Sequence, residues 1–169
     1  MIKEVTRKYL EIKSLKDLNI VDKPSDNCSL ELVKTKDFQL NKFFYKNIGK
    51  KHQWVDRLTW SDQKWINYVS DKKLSTYILK EKKNIAGYFE LIFYQDAKEA
   101  EIAYFGILEE YYGKKLGAYL LSEAIKISFV LGSKRAWVHT CSLDHRHALR
   151  NYISRGMKVF KSEILKFKT

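Results

Sequence analysis

Proline occurs once in the 169 residues, at Pro24, and cysteine twice, at Cys28 and Cys141. The cysteines stand far apart and form neither a redox pair nor a zinc-binding spacing, so no disulfide framework is expected and reduced thiols are the default. No apolar run reaches the length a membrane helix requires, and Met1-Ile2-Lys3-Glu4-Val5 lacks the core of a signal peptide. A soluble, cytoplasmic protein without a membrane partner is the expectation. Acidic side chains are also in short supply: 20 Asp and Glu against 32 Lys and Arg leave a net charge of +12. A basic field attracts nucleic acid, acidic proteins or anionic ligands. The lysines are scattered, their clusters are no longer than Lys50-Lys51 or Lys82-Lys83, and no nucleic-acid-binding motif accompanies them. A nucleic-acid partner is therefore not expected. No internal repeat or low-complexity tract interrupts the chain.

What is present suffices for one domain with a real core, since 45% of the residues are hydrophobic. Tyr9, Leu10 and Ile12, then Leu30, Leu32 and Val33, suggest two short strands around Pro24, an N-terminal extension over 1–37. Residues 38–73 read as two helices, one carrying Phe38, Leu40, Phe43 and Phe44, the other capped by Ser61 and carrying Trp65, Ile66 and Val69. From 74 to 169 come three strands, about 74–79, 85–93 and 101–108, joined by short polar turns that imply an antiparallel meander. A helix follows with Leu116, Leu120, Ala124, Ile127 and Leu131 at helical spacing and Gly132 as its C-cap. A strand around 137–140, a helix over about 143–155 ending at Gly156, and a last strand over 157–167 complete the order. The fold class expected is α/β: a mixed, mostly antiparallel central sheet with helices on both faces and a strand-helix-strand crossover in its second half.

The junction from Glu101 to Ala118 is the most informative stretch. The apolar run Ile102-Ala103-Tyr104-Phe105-Gly106-Ile107-Leu108 stops at Glu109-Glu110, and Tyr111-Tyr112-Gly113-Lys114-Lys115-Leu116-Gly117-Ala118 leads into a helix. Backbone N–H groups without intrahelical partners would face outward there at the positive end of a helix dipole, which suits an anion. A P-loop needs four residues between its glycines, whereas six separate Gly106 from Gly113, and Lys114 is followed by Lys115. A Rossmann turn needs a third glycine. The turn instead resembles the acyl-CoA diphosphate loop of the GNAT superfamily of N-acetyltransferases, Gln/Arg-x-x-Gly-x-Gly/Ala. Tyr112 takes the Gln/Arg place, Lys115 the first glycine and Gly117 the second. The resemblance continues through Trp137-Val138-His139-Thr140, Ala148, Tyr152 and Gly156-Met157, and spans about residues 74–160 in order.

The resemblance implies an acetyl-CoA-dependent N-acetyltransferase, without a metal, that passes the acetyl group directly to a primary amine of a small molecule or peptide in a ternary complex. It implies that Gly113, Lys114, Lys115, Leu116, Gly117 and Ala118 receive the diphosphate and that the strand edge at Ile107 and Leu108 pairs with the pantetheine arm. His145 and Asn151 are candidate polar contacts to that arm, and Tyr152 the acid that protonates the departing thiolate. For the base, Glu101 shares a face with Ala103, Phe105 and Ile107, since alternate residues of a strand point the same way. Glu90 and a water chain are the alternatives. The acceptor is expected to meet the segment with His52, Trp54, Asp56, Arg57 and Trp60, where tryptophan faces supply apolar or cation–π contact and Asp56 could pair with an ammonium. A GNAT-like module that binds CoA without catalysis and a basic RNA-associated protein are the rival readings. Homodimerisation is left open.

Overall fold

Residues 84–94 alternate side chains into two separate apolar layers, and this central strand organises the rest of the molecule. The computed structural model describes residues 1–168. Seven strands form one sheet: β1 (Ile2–Ile12), β2 (Cys28–Leu32), β3 (Leu74–Glu81), β4 (Asn84–Tyr94), β5 (Glu99–Ile107), β6 (Arg135–Cys141) and β7 (Lys158–Lys168). Four helices accompany them: α1 (Phe38–Gly49), α2 (Asp62–Ser70), α3 (Leu116–Val130) and α4 (Ala148–Ser154). In β4 the six residues Ala86 to Leu91 are all buried, as expected of a strand covered on both faces. Phe89 and Leu91 join the layer under α3, with Leu116, Leu120, Ala124 and Ile125. Tyr88 joins the opposite layer, with Phe44 and Ile48 of α1. The class is mixed α/β with helices on both faces.

Strand order is β2-β3-β4-β5-β6-β1-β7. Every neighbouring pair is antiparallel except β5 and β6, which run parallel. The two N-terminal strands do not lie together: β2 forms one edge beside β3, while β1 lies between β6 and β7. The meander from β3 to β5 is built as its short turns imply. Lys82 and Lys83 both take positive φ, 50° and 67°, in the two-residue turn between Glu81 and Asn84, the conformation that matches the twist of a hairpin.

Local signals set the helix ends. The Asp37 carboxylate accepts from the N–H of Gln39 (2.9 Å) and the Ser61 hydroxyl from that of Lys64 (3.2 Å), capping α1 and α2. Gly132 and Gly156, at φ 104° and 106°, follow α3 and α4 in the left-handed region where glycine is favoured. A side chain at Gly156 would also run into the carbonyl oxygen of Asp17. The last helix begins at Ala148, five residues after the expected start near 143. The difference has a cause: Asp144 Oδ2 accepts from Thr140 Oγ1 (2.6 Å) and from the N–H of Cys141 (3.0 Å), closing a turn on the end of β6. Among the described residues no helix is long and apolar enough to cross a membrane.

Candidate active site

The parallel pairing of β5 with β6 covers only three residue pairs: Glu99 with Arg135, Ala100 with Ala136, and Glu101 with Trp137. Beyond them the strands separate, and the fork opens into a cleft of about 640 Å³. One wall carries Ile102 to Ile107 of β5, the other Val138, His139 and Cys141 of β6. At its far end stand Gly113, Lys115, Leu116, Gly117 and Ala118, the start of α3, with Asn151 and Tyr152 of α4 beside them. All of the residues expected to hold a diphosphate except Lys114 thus come together with the expected acid along one groove.

The amino end of α3 is available to an anion. No side chain among the described residues caps it, so its first N–H groups point outward with the positive end of the dipole. Gly113 takes φ 78°, and a Cβ there would have open space within 4 Å. Asn151 Nδ2 donates to the carbonyl of Gly117 (3.1 Å), pinning the first turn of α3 to α4. Lys115 adopts φ 62°, ψ 14°, so the position where the resemblance expects glycine keeps the left-handed backbone at a cost of about 1–2 kcal/mol. The groove therefore fits the diphosphate of an acyl-CoA on its main chain.

Two of the expected cofactor contacts are corrected. Lys114 is absent from the cleft wall; its ammonium reaches the Glu81 carboxylate (3.3 Å) and lies 5.3 Å from the centre of the Tyr111 ring. Leu108 turns into the layer under α1, and its N–H is taken by the carbonyl of Ala86 (2.8 Å). Ile107 remains in the wall.

Glu101 is displaced from its expected face by a bulge. Glu90 pairs with Tyr104 but Leu91 with Ile102, so Ala103 is an extra residue in β5 and the alternation slips by one. Phe105 and Ile107 consequently join the α3 layer, while Gly106 faces Ile48 of α1. Glu101 does not line the cleft. Its Oε2 accepts from the hydroxyl of Tyr94 (3.0 Å). Burial holds its pKa above the ordinary carboxylate value, against the Tyr94 hydrogen bond and the charge of Arg57. Burial and the same carboxylate push the Tyr94 phenol up to about 12.

On the acceptor side the expected group divides. Asp56 lines the cleft with His52, Gln53, Trp54 and Val55. Arg57, Trp60 and Glu90 do not. Glu90, 0% exposed, accepts from Arg57 Nη1 (3.0 Å), Tyr68 Oη (2.6 Å) and Asn41 Nδ2 (2.8 Å). The Arg57 guanidinium lies 4.0, 4.1 and 4.7 Å from the ring centres of Tyr104, Tyr68 and Trp60. Burial alone would lower its pKa, but the Glu90 carboxylate outweighs this and raises it. Glu90 is thus occupied in a buried ion pair that braces the segment before α2 behind the cleft, and it is not free to act as base.

All four histidines of the sequence, His52, His139, His145 and His147, line the cleft. Among the described residues, no three or more His, Cys, Asp or Glu side chains are placed to hold a metal ion. At the rim, Trp54 Nε1 donates to Asp144 Oδ1 (3.2 Å), and the rings of Tyr112 and His52 lie 5.0 and 5.9 Å from that of His145. The segments that follow α1 and β5 therefore touch the turn after β6 at the open end of the fork. Tyr152 is buried, with its ring 6.3 Å from that of Phe105. Burial raises the pKa of its phenol, so it stays protonated at neutral pH. His139 entered the sequence reading only as part of a strand. The signal that singles it out is period two, which places it with Trp137 and Cys141 on the face opposite Val138.

The sequence profile of the Acetyltransferase (GNAT) family matches residues 38–157. No curated protein matches the chain. A GCN5-related N-acetyltransferase from Sphaerobacter thermophilus superposes with a TM-score of 0.75 at 14% identity, over 96% of this chain and 50% of that one. One from Kribbella flavida gives 0.67 at 17% identity, over 98% and 58%. An aminoglycoside acetyltransferase from an uncultured soil metagenomic sample, in complex with trehalose, gives 0.63 at 11% identity, over 79% and 90%. At these identities the likeness is one of fold, and the chain spans between half and three fifths of the length of the first two.

Proposed function

The chain belongs to the GNAT acetyltransferase family, and we propose that it moves an acetyl group from acetyl-CoA to a primary amine by direct attack in a ternary complex. The observation that carries this reading is the convergence of the uncapped start of α3, the unpaired edge of β5 and the Tyr152 ring on one cleft. The thioester supplies an activated acyl carbon and a thiolate leaving group. The main-chain donors of Gly113 to Ala118 anchor the diphosphate, which fixes the depth at which the arm enters the fork. Tyr152, protonated and buried, is placed to give its proton to the departing sulfur. On the other face, the Asp56 carboxylate attracts a cationic amine and the Trp54 ring packs against its apolar body.

The acceptor is a small-molecule or peptide amine. Aminoglycosides belong in the test set because one structural relative is an aminoglycoside acetyltransferase. Lys115 in the diphosphate turn favours a second reading, a module that retains CoA without transferring anything. Thiol release from acetyl-CoA separates the two when it is followed across spermidine, tyramine, sisomicin and peptides with free amino ends. Acetyl transfer predicts amine-dependent release above the rate without amine. Binding of acetyl-CoA with no release beyond that background for any of these amines would favour the module.

A further inference from the structure

We propose that His139 is the base that takes the proton from the acceptor amine, an assignment that rests on the acetyl-transfer reading above. His139 lies on β6 two residues beyond Trp137, the last residue paired with β5, and so stands where the fork begins. Its side chain leaves the sheet on the face opposite Val138, which belongs to the α3 layer. An acyl group reaching the fork from the amino end of α3 would meet an acceptor entering from the α1 and α2 side at this residue.

The other candidates are occupied or misplaced. Glu90 is sealed in its ion pair with Arg57, and Glu101 lies outside the cleft wall with Tyr94 on its carboxylate. Asp144 already accepts from Trp54, Thr140 and the Cys141 N–H. His52, His145 and His147 cluster at the rim, where the His145 ring lies 5.9 Å from that of His52, 5.3 Å from that of His147 and 5.0 Å from that of Tyr112. Asp56 is exposed, where its charge is suited to attracting the acceptor's ammonium toward the cleft.

The surroundings keep the His139 imidazole ready. The Tyr9 ring, on its register partner in β1, packs at 5.5 Å. The charged groups facing it are Arg7 of β1, Asp144 of the turn after β6, Asp56 of the segment before α2 and Glu163 of β7. Burial and Arg7 hold its pKa below the ordinary histidine value, against the pull of the three carboxylates. The imidazole is therefore neutral at pH 7 and able to accept a proton. The acceptor ammonium first gives one proton through the imidazole to cleft water; the freed nitrogen pair then bonds to the acyl carbon as the C–S bond breaks, and the nitrogen's second surplus proton goes to the imidazole. The sulfur takes the proton of Tyr152, and cleft water carries the imidazolium proton back to the phenolate.

The test uses the full chain with acetyl-CoA and the fastest amine of the panel above, and follows kcat/KM against pH. Because the base must be neutral, activity should rise with pH through a limb lying below the ordinary histidine pKa of about 6.5. His139→Gln is expected to lower kcat about 100-fold or more and to abolish that limb, with acetyl-CoA affinity by calorimetry within about twofold of wild type. Retention of the limb in His139→Gln, whatever its rate, overturns the proposal, as does loss of the limb in Glu101→Gln in its place. An NMR titration of the His139 ring, assigned by its disappearance in His139→Gln, gives a check that needs no turnover: an imidazole charged at pH 7 overturns the assignment. If the wild type turns over no amine, the acetyl-transfer reading itself has failed and the role of His139 falls with it.

Discussion

Arg57→Ala is expected to lower the unfolding free energy by about 3–5 kcal/mol, the penalty for leaving one partner of a buried ion pair uncompensated. Glu90 has no route to solvent: it is 0% exposed beneath α1 and α2. After truncation it would keep only Tyr68 and Asn41 as donors, and the space among Tyr104, Tyr68 and Trp60 would lose the cation those rings surround. For a domain of this size the loss corresponds to a fall in Tm of about 10 °C, readable by calorimetry. The double variant Arg57→Ala/Glu90→Gln should recover part of it, because the neutral amide needs no counter-charge. A single variant within about 1 kcal/mol of wild type would show that the pair does not brace the acceptor segment.

Tyr152→Phe is expected to reduce kcat about 100-fold while the Kd for acetyl-CoA stays close to that of the wild type. The reason is a difference between ground and transition states. The phenol can give its proton only as the sulfur acquires charge, so its loss raises the barrier without weakening the bound complex. The substitution removes one oxygen and keeps the ring packed 6.3 Å from Phe105, so the fold should be preserved. Stopped-flow measurement of single-turnover thiol release isolates the chemical step. An unchanged single-turnover rate would remove Tyr152 from the chemistry.

Much of the architecture was legible because its causes are local. Gly132 and Gly156 mark helix ends through their own backbone conformation, Ser61 caps α2 with its own hydroxyl, and short polar turns force the meander from β3 to β5. The start of α3 was legible for the same reason, since an interrupted apolar run followed by Gly113 has few other backbone solutions. What escaped depends on partners distant in the chain. β1 buries only Val5, Leu10 and Ile12 of its eleven residues, and nothing within it says that its neighbours will be β6 and β7. The bulge at Ala103 is a property of the β4–β5 pairing, and a strand read alone carries Glu101 to the wrong face. Arg57 and Glu90 are 33 positions apart; alone, Arg57 reads as part of the acceptor segment and Glu90 as a candidate base, and only the fold buries them together. His139 was hidden for a related reason: its meaning comes from the point at which β5 and β6 part.

The central claim is that the amino end of α3 holds the diphosphate of an acyl-CoA, and Gly117→Asp tests it most directly. A Cβ at Gly117 would meet Asn151 and Ile107 only at 3.9 Å, ordinary contact, so the helix accepts the side chain. A carboxylate in the first turn of a helix is if anything stabilising. The same carboxylate would stand against the anion the turn is meant to receive. Calorimetry with acetyl-CoA should show saturable binding to one site per chain in the wild type and at least a tenfold weaker affinity in Gly117→Asp, with Tm unchanged or raised. Equal affinity in the two proteins, or no binding by the wild type up to about 1 mM, would contradict the account.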